Sequence, residues 1–244
     1  RLSASQVGAA EAVGAQLAAA LQRSDKPADA ALSLVDSGAV AEVVMVDERG
    51  QLVDGDQLLY VLACDRLESN TLRGPVVGTV MSNLGLEVAL RGRGVQFERA
   101  KVGDRYVLAL LKEKGGILGG ETSGHVLCLD RTTTGDGLVT ALQVLAVMRR
   151  TGRSLSELTG GMRLFPQALL NVKVTKRADP TLDPGVRRAV GAVEAKLGER
   201  GRVVLRASGT EPVIRVMVEG EDGREVSAFA EELAESVKTA FGSS

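Results

Sequence analysis

The chain is predicted to be an α/β protein: a mainly parallel three-layer sheet domain followed by a small α+β domain whose antiparallel sheet is flanked by two helices. Two observations predict this. Between about residues 75 and 150, apolar β-branched runs alternate with helical patterns, as in parallel sheets covered on both faces. After residue 161 a strand, a helix, two strands and a last helix follow, which is typical of an α+β layer. With 244 residues, 44% of them hydrophobic, the chain is long enough for packed cores of this kind.

The domain organisation predicted from these patterns has three parts. Residues 1–30 are expected to contain one helix, over residues 3–22. Residues 31–161 are expected to form the α/β domain, and residues 162–244 the α+β domain. The boundary is predicted near Gly160–Gly161, where we expect some hinge motion.

Each element of the α/β domain has a local signal in the sequence. Strands are apolar and β-branched, Asp47–Gly50 has the composition of a hairpin turn, and helices begin near Ser or Asp residues. Asp54 or Asp56 is predicted to cap the first helix and Asp136 the last, and capping is also the plainer interpretation of Asp104–Arg105. The predicted elements are strands at 31–35, 43–46, 75–80, 95–101, 117–120 and 126–129, and helices at 56–66, 82–90, 104–114 and 136–150.

The α+β domain begins with an alternating segment in which Leu170, Val172 and Val174 point to one side, as expected of an edge strand. Four further elements follow, namely a helix over 184–197, strands over 202–205 and 213–219, and a helix over 225–241.

Composition and charge exclude several classes of function. Thirty basic against 31 acidic residues leave a net charge of −1, so no global field draws the chain to nucleic acid or to a membrane. Aromatic residues are only 2% of the chain, which argues against stacking platforms for single-stranded nucleic acid. No membrane span or signal peptide is predicted. Cys64 and Cys128 lie in apolar runs, which favours reduced thiols and a cytoplasmic setting.

The most informative segment is Arg206–Pro212, followed by Arg215. It combines two guanidinium groups, two hydroxyls and a glycine between two apolar strands. The guanidinium groups can bind a pair of anionic oxygens, while hydroxyls and backbone N–H groups can surround a third. This composition predicts a phosphate clamp. The alternative is an ordinary turn with two surface arginines, since Ser-Gly-Thr is common turn chemistry.

Four stretches together resemble the α-D-phosphohexomutase family, most closely the C-terminal half of its members that act on glucosamine phosphate. The resemblance covers nearly everything from Val43 to the C-terminus. Each stretch is weak alone, but the set is specific in order and spacing. The four stretches are 78–85, 100–106, 120–125 with 132–137, and 206–220.

The resemblance implies a four-domain enzyme that moves a phosphoryl group between the 6- and 1-positions of a hexose phosphate, using a phosphoserine and Mg²⁺. Its third domain binds the sugar and its fourth the phosphate. The implied ligand is a hexosamine phosphate or a similar phosphosugar. The residues that correspond to these roles are Glu121, Ser123 and His125 for the sugar, Lys101 in the active cleft, and Arg206, Ser208, Gly209, Thr210 and Arg215 for the phosphate.

The chemistry of the implied sugar loop agrees with these roles. A carboxylate at Glu121 can accept hydrogen bonds from two adjacent sugar hydroxyls, and Ser123 can add a donor or an acceptor. His125 can do either near neutral pH. A lone histidine beside an apolar strand is more often structural, but the neighbouring Glu and Ser in a glycine-framed loop favour the binding role.

Two departures from the family pattern bear on catalysis. No segment before residue 43 matches the loop that carries the catalytic serine, and the resemblance implies that the helix in residues 1–30 is a remnant of the preceding domain. Where the family has three alternating aspartates for Mg²⁺, this chain has Val35–Glu42, with Asp36 as the one possible survivor. We therefore expect no catalytic residue, no metal and no cofactor, and an inactive chain when it is alone.

These departures leave three hypotheses open. The first is a truncated, non-catalytic relative that binds a hexosamine phosphate or serves as a partner subunit. The second is the C-terminal fragment of an active mutase that converts glucosamine 6-phosphate to glucosamine 1-phosphate. The third is a structural interaction module. Residues 1–46 are predicted to pack against a protein partner or a second copy, because an uncovered apolar surface favours association.

Overall fold

The computed structural model describes residues 30–35, 42–175, 179–208 and 211–242, and for 30–35 it describes the backbone. The helix predicted over residues 3–22 lies outside these ranges. The chain divides into two compact units between Arg163 and Leu164. The roles assigned to the predicted domains stay predictions. No helix in the described ranges is both long and apolar enough to cross a bilayer.

The first unit contains two sheets. Strands β1 (Ala30–Val35), β2 (Glu42–Asp47) and β3 (Leu52–Val53) form an antiparallel sheet. The turn between β2 and β3 is the predicted hairpin turn, in which the Gly50 N–H donates to the Asp47 carbonyl at 2.9 Å. The second sheet has the order β5-β4-β6-β7. Its strands are β4 (Val76–Thr79), β5 (Phe97–Ala100), β6 (Leu118–Gly120) and β7 (Val126–Cys128).

Strands β4, β5 and β6 are parallel, and β7 is antiparallel to β6. Side chains alternate across this sheet, so Val76 and Val77 of β4 enter two different apolar clusters. Helices cover both faces, which confirms the predicted three-layer arrangement. The helices of the unit are α1 (Gly55–Glu68), α2 (Leu84–Gly92), α3 (Asp104–Lys114), α4 (Gly137–Thr151) and α5 (Leu155–Thr159).

Caps define the ends of these helices. Asp54 caps α1 and Asp136 caps α4, each accepting a backbone N–H within the first turn, as expected. The helix predicted over residues 104–114 is present, but the plainer interpretation of Asp104 as its cap does not hold. Gly103 occupies the cap position of α3 without any side-chain bond, and Asp104 is the first helical residue. Helix α5 was not predicted, although Ser154 and Glu157 form a capping box at its start.

The second unit is an antiparallel sheet of order β8-β10-β9, with two helices against one face. Strand β8 lies at an edge of this sheet, as predicted. Helix α6 begins with a proline after the Asp183 cap, and α7 follows the Asp222 cap. The elements are β8 (Gln167–Lys173), α6 (Pro184–Leu197), β9 (Gly201–Ala207), β10 (Val213–Gly220) and α7 (Gly223–Phe241).

Candidate functional site

The carboxyl ends of β4, β5 and β6 meet at one edge of the parallel sheet in the first unit. Ligand sites of open α/β sheets form at this edge, because loops that leave neighbouring strands converge there. Lys101 directly follows β5, and Glu121 directly follows β6. The topology therefore places both predicted sugar-binding segments on the same side of the sheet.

A tight loop connects β6 to β7 and carries the predicted sugar-binding residues. The Glu121 N–H donates to the His125 carbonyl at 2.9 Å, and the Gly124 N–H to the Glu121 carbonyl at 3.0 Å. Gly124 has a φ of +100°, and a Cβ there would lie 2.0 Å from the Val43 carbonyl oxygen. Only glycine fits this position, so the loop backbone is closely fixed against β2.

The Glu121 side chain links this loop to the one after β5. Its Oε1 accepts the Gly103 N–H at 2.9 Å. Lys101, two residues before Gly103, is exposed. The structure thus brings Glu121 and the Lys101 loop together, although each is predicted from a separate stretch of sequence.

His125 is nearly buried, with 9% of its surface exposed. Its Nε2 has no hydrogen-bond partner within the described ranges. Gly135 lies against the ring, and a Cβ at that position would be 2.1 Å from Nε2. Ser123 is half-buried in the same loop. The imidazole is therefore positioned by packing, with a nitrogen available for a hydrogen bond.

A buried carboxylate, that of Asp56, is hydrogen-bonded to the sugar loop. Asp56 is fully buried; its Oδ2 accepts the Asn83 N–H at 2.8 Å and the Thr122 hydroxyl at 2.8 Å. Burial raises the pKa of Asp56, and these hydrogen bonds oppose that rise. Sequence reasoning considered Asp56 only as a possible helix cap. The polar residue Thr122 inside the sugar loop was the available signal that a buried partner exists.

A second acidic residue lies next to this carboxylate. Asp54 is the cap of α1, accepting the Gln57 N–H at 3.0 Å, while the Gln57 side chain accepts the Asp54 N–H. Burial, together with the charge of nearby Asp56, raises the pKa of Asp54 to about 7. Two neighbouring acids therefore lie under one end of the sheet.

Arg99 fixes the turn after β4. Its Nη1 donates to the carbonyls of Thr79 and Ser82 at 2.9 and 2.7 Å. Its Nε donates to Glu87 at 3.0 Å. Because Asn83 follows this turn, Arg99 also positions the N–H that holds Asp56. Sequence reasoning did not identify Arg99.

In the second unit, Arg206 of β9 and Arg215 of β10 lie directly opposite each other in the antiparallel register. Directly opposed residues share a face of the sheet, and like charges in that position are destabilising. Only 8% of Arg215 is exposed, and its nearest described acid is the exposed Glu211, at 3.8 Å. The structure therefore brings the two predicted clamp arginines together on the face opposite α6 and α7.

The turn between β9 and β10 contains the remaining clamp residues. Ser208 is buried; its N–H donates to the Val213 carbonyl at 2.8 Å, and its hydroxyl accepts the Glu211 N–H at 3.3 Å. Ser208 therefore stabilises the turn that joins the two arginine strands. Gly209 and Thr210 lie outside the described residues.

The residues present do not fit the Mg²⁺ site of the resembled family. The segment Val35–Glu42 has two carboxylates, Asp36 and Glu42, where the resemblance implies three aspartates on alternate residues. Across the ranges that the structure describes, no three His, Cys, Asp or Glu residues are grouped to hold a metal. Asp36 itself lies outside those ranges.

Comparisons with known proteins agree with this division into units. Residues 54–165 match the model of phosphoglucomutase/phosphomannomutase, alpha/beta/alpha domain III, and residues 169–236 match the C-terminal domain of the same family. The chain belongs to the phosphoglucomutase/phosphomannomutase family. The resemblance to α-D-phosphohexomutases is thereby confirmed, and so is the predicted fold class.

Among sequence relatives of this phosphohexomutase chain are the phosphoglucosamine mutases of Salmonella paratyphi C and Salmonella choleraesuis. Each is 53% identical over 229 residues, which is 93% of this chain and 52% of the relative. The chain thus spans about half the length of the curated relatives it matches.

Solved structures share the fold at low sequence identity. The Aspergillus fumigatus N-acetylphosphoglucosamine mutase in complex with GlcNAc-6P and magnesium has a TM-score of 0.71 and 20% identity, covering 88% of this chain and 53% of that one. A family protein from Burkholderia thailandensis has a TM-score of 0.72 and 21% identity, covering 95% and 51%. These likenesses concern the fold alone.

Proposed function

We propose that this chain is the substrate-recognition half of a phosphoglucosamine mutase-like protein and that it binds a hexosamine phosphate. The observation that carries the proposal is the direct opposition of Arg206 and Arg215 on one sheet face. Two guanidinium groups in register suit a phosphate group, because their planar N–H donors bind pairs of anionic oxygens. Ser208, Gly209 and Thr210 complete the proposed phosphate site.

The proposed sugar site lies in the first unit and uses Glu121, Ser123, His125 and Lys101. The Glu121 carboxylate is held by the Gly103 N–H, and its remaining acceptor capacity suits sugar hydroxyls. The free Nε2 of His125 provides a further donor or acceptor. Because the loop is anchored to Asp56 through Thr122, these groups are held in place before the ligand arrives.

Phosphoryl transfer by this chain alone is not part of the proposal, because the residues present do not supply the family's three-aspartate metal loop. A second candidate function is phosphoglucosamine mutase activity, with this chain as the C-terminal half of the enzyme. The 53% identity to proteins of that name favours it. Both candidates require the same binding site and differ in turnover.

Isothermal titration of the whole chain with glucosamine 6-phosphate tests the binding function. We expect a Kd in the micromolar range, about −8 kcal/mol, unchanged by Mg²⁺. Arg215→Ala should weaken binding by about 1.5–3 kcal/mol, because a charged hydrogen bond is lost. The matched control is Arg188→Ala, an exposed arginine on α6. Equal affinity in both variants would contradict the phosphate site.

Turnover separates the two candidate functions. If the purified chain interconverts glucosamine 6-phosphate and glucosamine 1-phosphate, the second candidate is correct and the non-catalytic proposal is wrong. Binding without turnover, both alone and after the N-terminal half of a phosphoglucosamine mutase is added, supports the first candidate. A pull-down in which the double variant of Arg206 and Arg215 retains a partner while losing the phosphosugar would support the third hypothesis, an interaction module.

Association and location are further parts of the proposal. Both cysteines are free thiols, which is consistent with the proposed cytoplasmic setting. Association through residues 1–46 stays a prediction, because much of this segment lies outside the described ranges. Sedimentation of the whole chain over a range of concentrations tests self-association directly.

A further inference from the structure

The face of the β8-β10-β9 sheet that is turned away from α6 and α7 carries more polar groups than the two clamp arginines. Strand β8 pairs with β10 so that Asn171 lies opposite Arg215, and Arg215 lies opposite Arg206. These three side chains form one cross-strand row on one face. Leu170 and Val172, on either side of Asn171, enter the cluster that packs against α6 and α7. Asn171 therefore points away from the helices.

Lys173 lies on the same face, because it is two residues beyond Asn171 on the strand. It is opposite Val213, the first residue of β10. The next residue continues the pairing toward the clamp turn, where the Val174 N–H donates to the Pro212 carbonyl at 3.0 Å. Lys173 is exposed and forms no ion pair with any residue that the structure describes. Its ammonium group therefore lies at the end of the sheet where the clamp turn begins.

The other end of the same face provides an internal reference. There Gln167, Glu219 and Arg202 form an equivalent row across the three strands. Glu219 is fully buried and accepts hydrogen bonds from Arg202 Nε at 2.6 Å and from Gln167 Nε2 at 2.8 Å. In this row the cation has a buried carboxylate beside it. In the row of Asn171 the central residue is a second arginine.

We propose that Asn171 and Lys173 of β8 are further ligands of the phosphate site, so that it extends over all three strands. This inference rests on the proposed phosphosugar-binding function. The ligand class is a phosphate monoester, which carries between one and two negative charges near neutral pH. Two guanidinium groups provide planar donors, Lys173 adds a compact positive charge, and the Asn171 amide adds neutral donors. The third cation offsets the carboxylate of Glu211 at the rim.

The experiment titrates the whole chain and its Lys173→Met and Asn171→Ala variants with glucosamine 6-phosphate and, separately, with inorganic phosphate. Lys173→Met should weaken the binding of both ligands about two- to fivefold, as expected for an exposed charge. It should also lower the dependence of Kd on salt concentration. Asn171→Ala should weaken binding without that change in salt dependence. The control is Lys238→Met, an exposed lysine on α7.

Arg215→Ala, or Arg206→Gln if the first variant fails to fold, separates failure of this inference from failure of the proposed function. If an arginine variant loses binding while Lys173→Met and Asn171→Ala bind like the wild type, the extension to β8 is wrong and the clamp stands. If all variants bind like the wild type, both proposals are wrong. Parallel losses in the β8 and arginine variants, with Lys238→Met unchanged, support the extended site.

Discussion

The two candidate sites differ in which partners their polar and charged side chains have within the protein. In the first unit, the sugar loop is held by internal hydrogen bonds, because Glu121 accepts from Gly103 and Asp56 accepts from Thr122. In the second unit, Arg206 and Arg215 oppose each other, and the nearest described acid to Arg215 is exposed. One site is therefore pre-organised by hydrogen bonds within the protein, whereas the other is the proposed site of a bound phosphate group. Substitutions should affect mainly stability in the first and mainly binding in the second.

In the second unit, substitutions in the row of Gln167, Glu219 and Arg202 should lower the stability of the fold more than substitutions elsewhere on that face of the sheet. Arg202→Met leaves the buried Glu219 carboxylate without its cation, and breaking a buried pair in this way costs about 3 kcal/mol or more. We expect a decrease of that size in the free energy of unfolding, measured by urea denaturation.

The control for this prediction is Arg200→Met, an exposed arginine two residues earlier in the chain. It should change stability by less than about 0.5 kcal/mol. Equal stability of the two variants would show that Arg202 does not balance the charge of Glu219 as the structure indicates.

The next largest effect is expected beneath the sugar loop. Asp56→Ala leaves the Asn83 N–H and the Thr122 hydroxyl without their buried acceptor, at a cost of about 2 kcal/mol. Chemical denaturation should show this loss, and titration of refolded protein should show weaker sugar-phosphate binding as the loop loosens. Asp104→Ala, at an exposed position, is the control and should cost less than about 1 kcal/mol. An unchanged stability of Asp56→Ala would contradict the supporting role.

The difference between these two sites also explains what could be predicted from the sequence. Helices α3 and α6 were predicted with their observed ends, because their signals are local: Gly115 ends α3 in a left-handed conformation, and Pro184 follows the Asp183 cap. The Asp56 network was missed because its partners are 27 and 66 residues away in the chain. No local pattern specifies such a contact.

The row of Asn171, Arg215 and Arg206 was predicted from the sequence only in part. The clamp composition identified Arg206 and Arg215, but their direct opposition depends on the strand register. The alternation of Leu170, Val172 and Val174 was recognised, and it implies that Asn171 and Lys173 lie on the other face. Their position beside the clamp follows from the strand order β8-β10-β9, which the sequence does not specify.

A smaller effect on stability is expected when a bound ligand neutralises the positive charges of Arg206 and Arg215. Glucosamine 6-phosphate at ten times its Kd should stabilise the chain by about 1.4 kcal/mol if it binds only the folded state. Thermal unfolding with added ligand measures this. Removing the ligand by dialysis should restore the original midpoint. In Arg215→Ala the stabilisation should largely disappear, whereas in Arg188→Ala it should persist; a stabilisation that survives in both variants would place the ligand elsewhere.

The smallest effect concerns Asp54 and pH. The pKa of Asp54 is raised to about 7 in the folded state, well above the usual value of an unfolded aspartate, so the folded chain binds the extra proton between these values. Stability must therefore fall as the pH rises through that window. Between pH 6 and pH 7 the fall should be about 1 kcal/mol. Asp54→Asn removes the titration while keeping a good helix cap, so its stability should be flatter over this interval.

Urea denaturation at the two pH values, in wild type and Asp54→Asn, measures the difference in slope. Every other titratable group is present in both proteins, so its contribution cancels in the comparison. A slope that is the same in both proteins would assign the pH dependence to a group other than Asp54. A flatter slope in Asp54→Asn alone would show that the rigid, internally bonded end of the sheet holds its acids at a cost in stability that rises with pH.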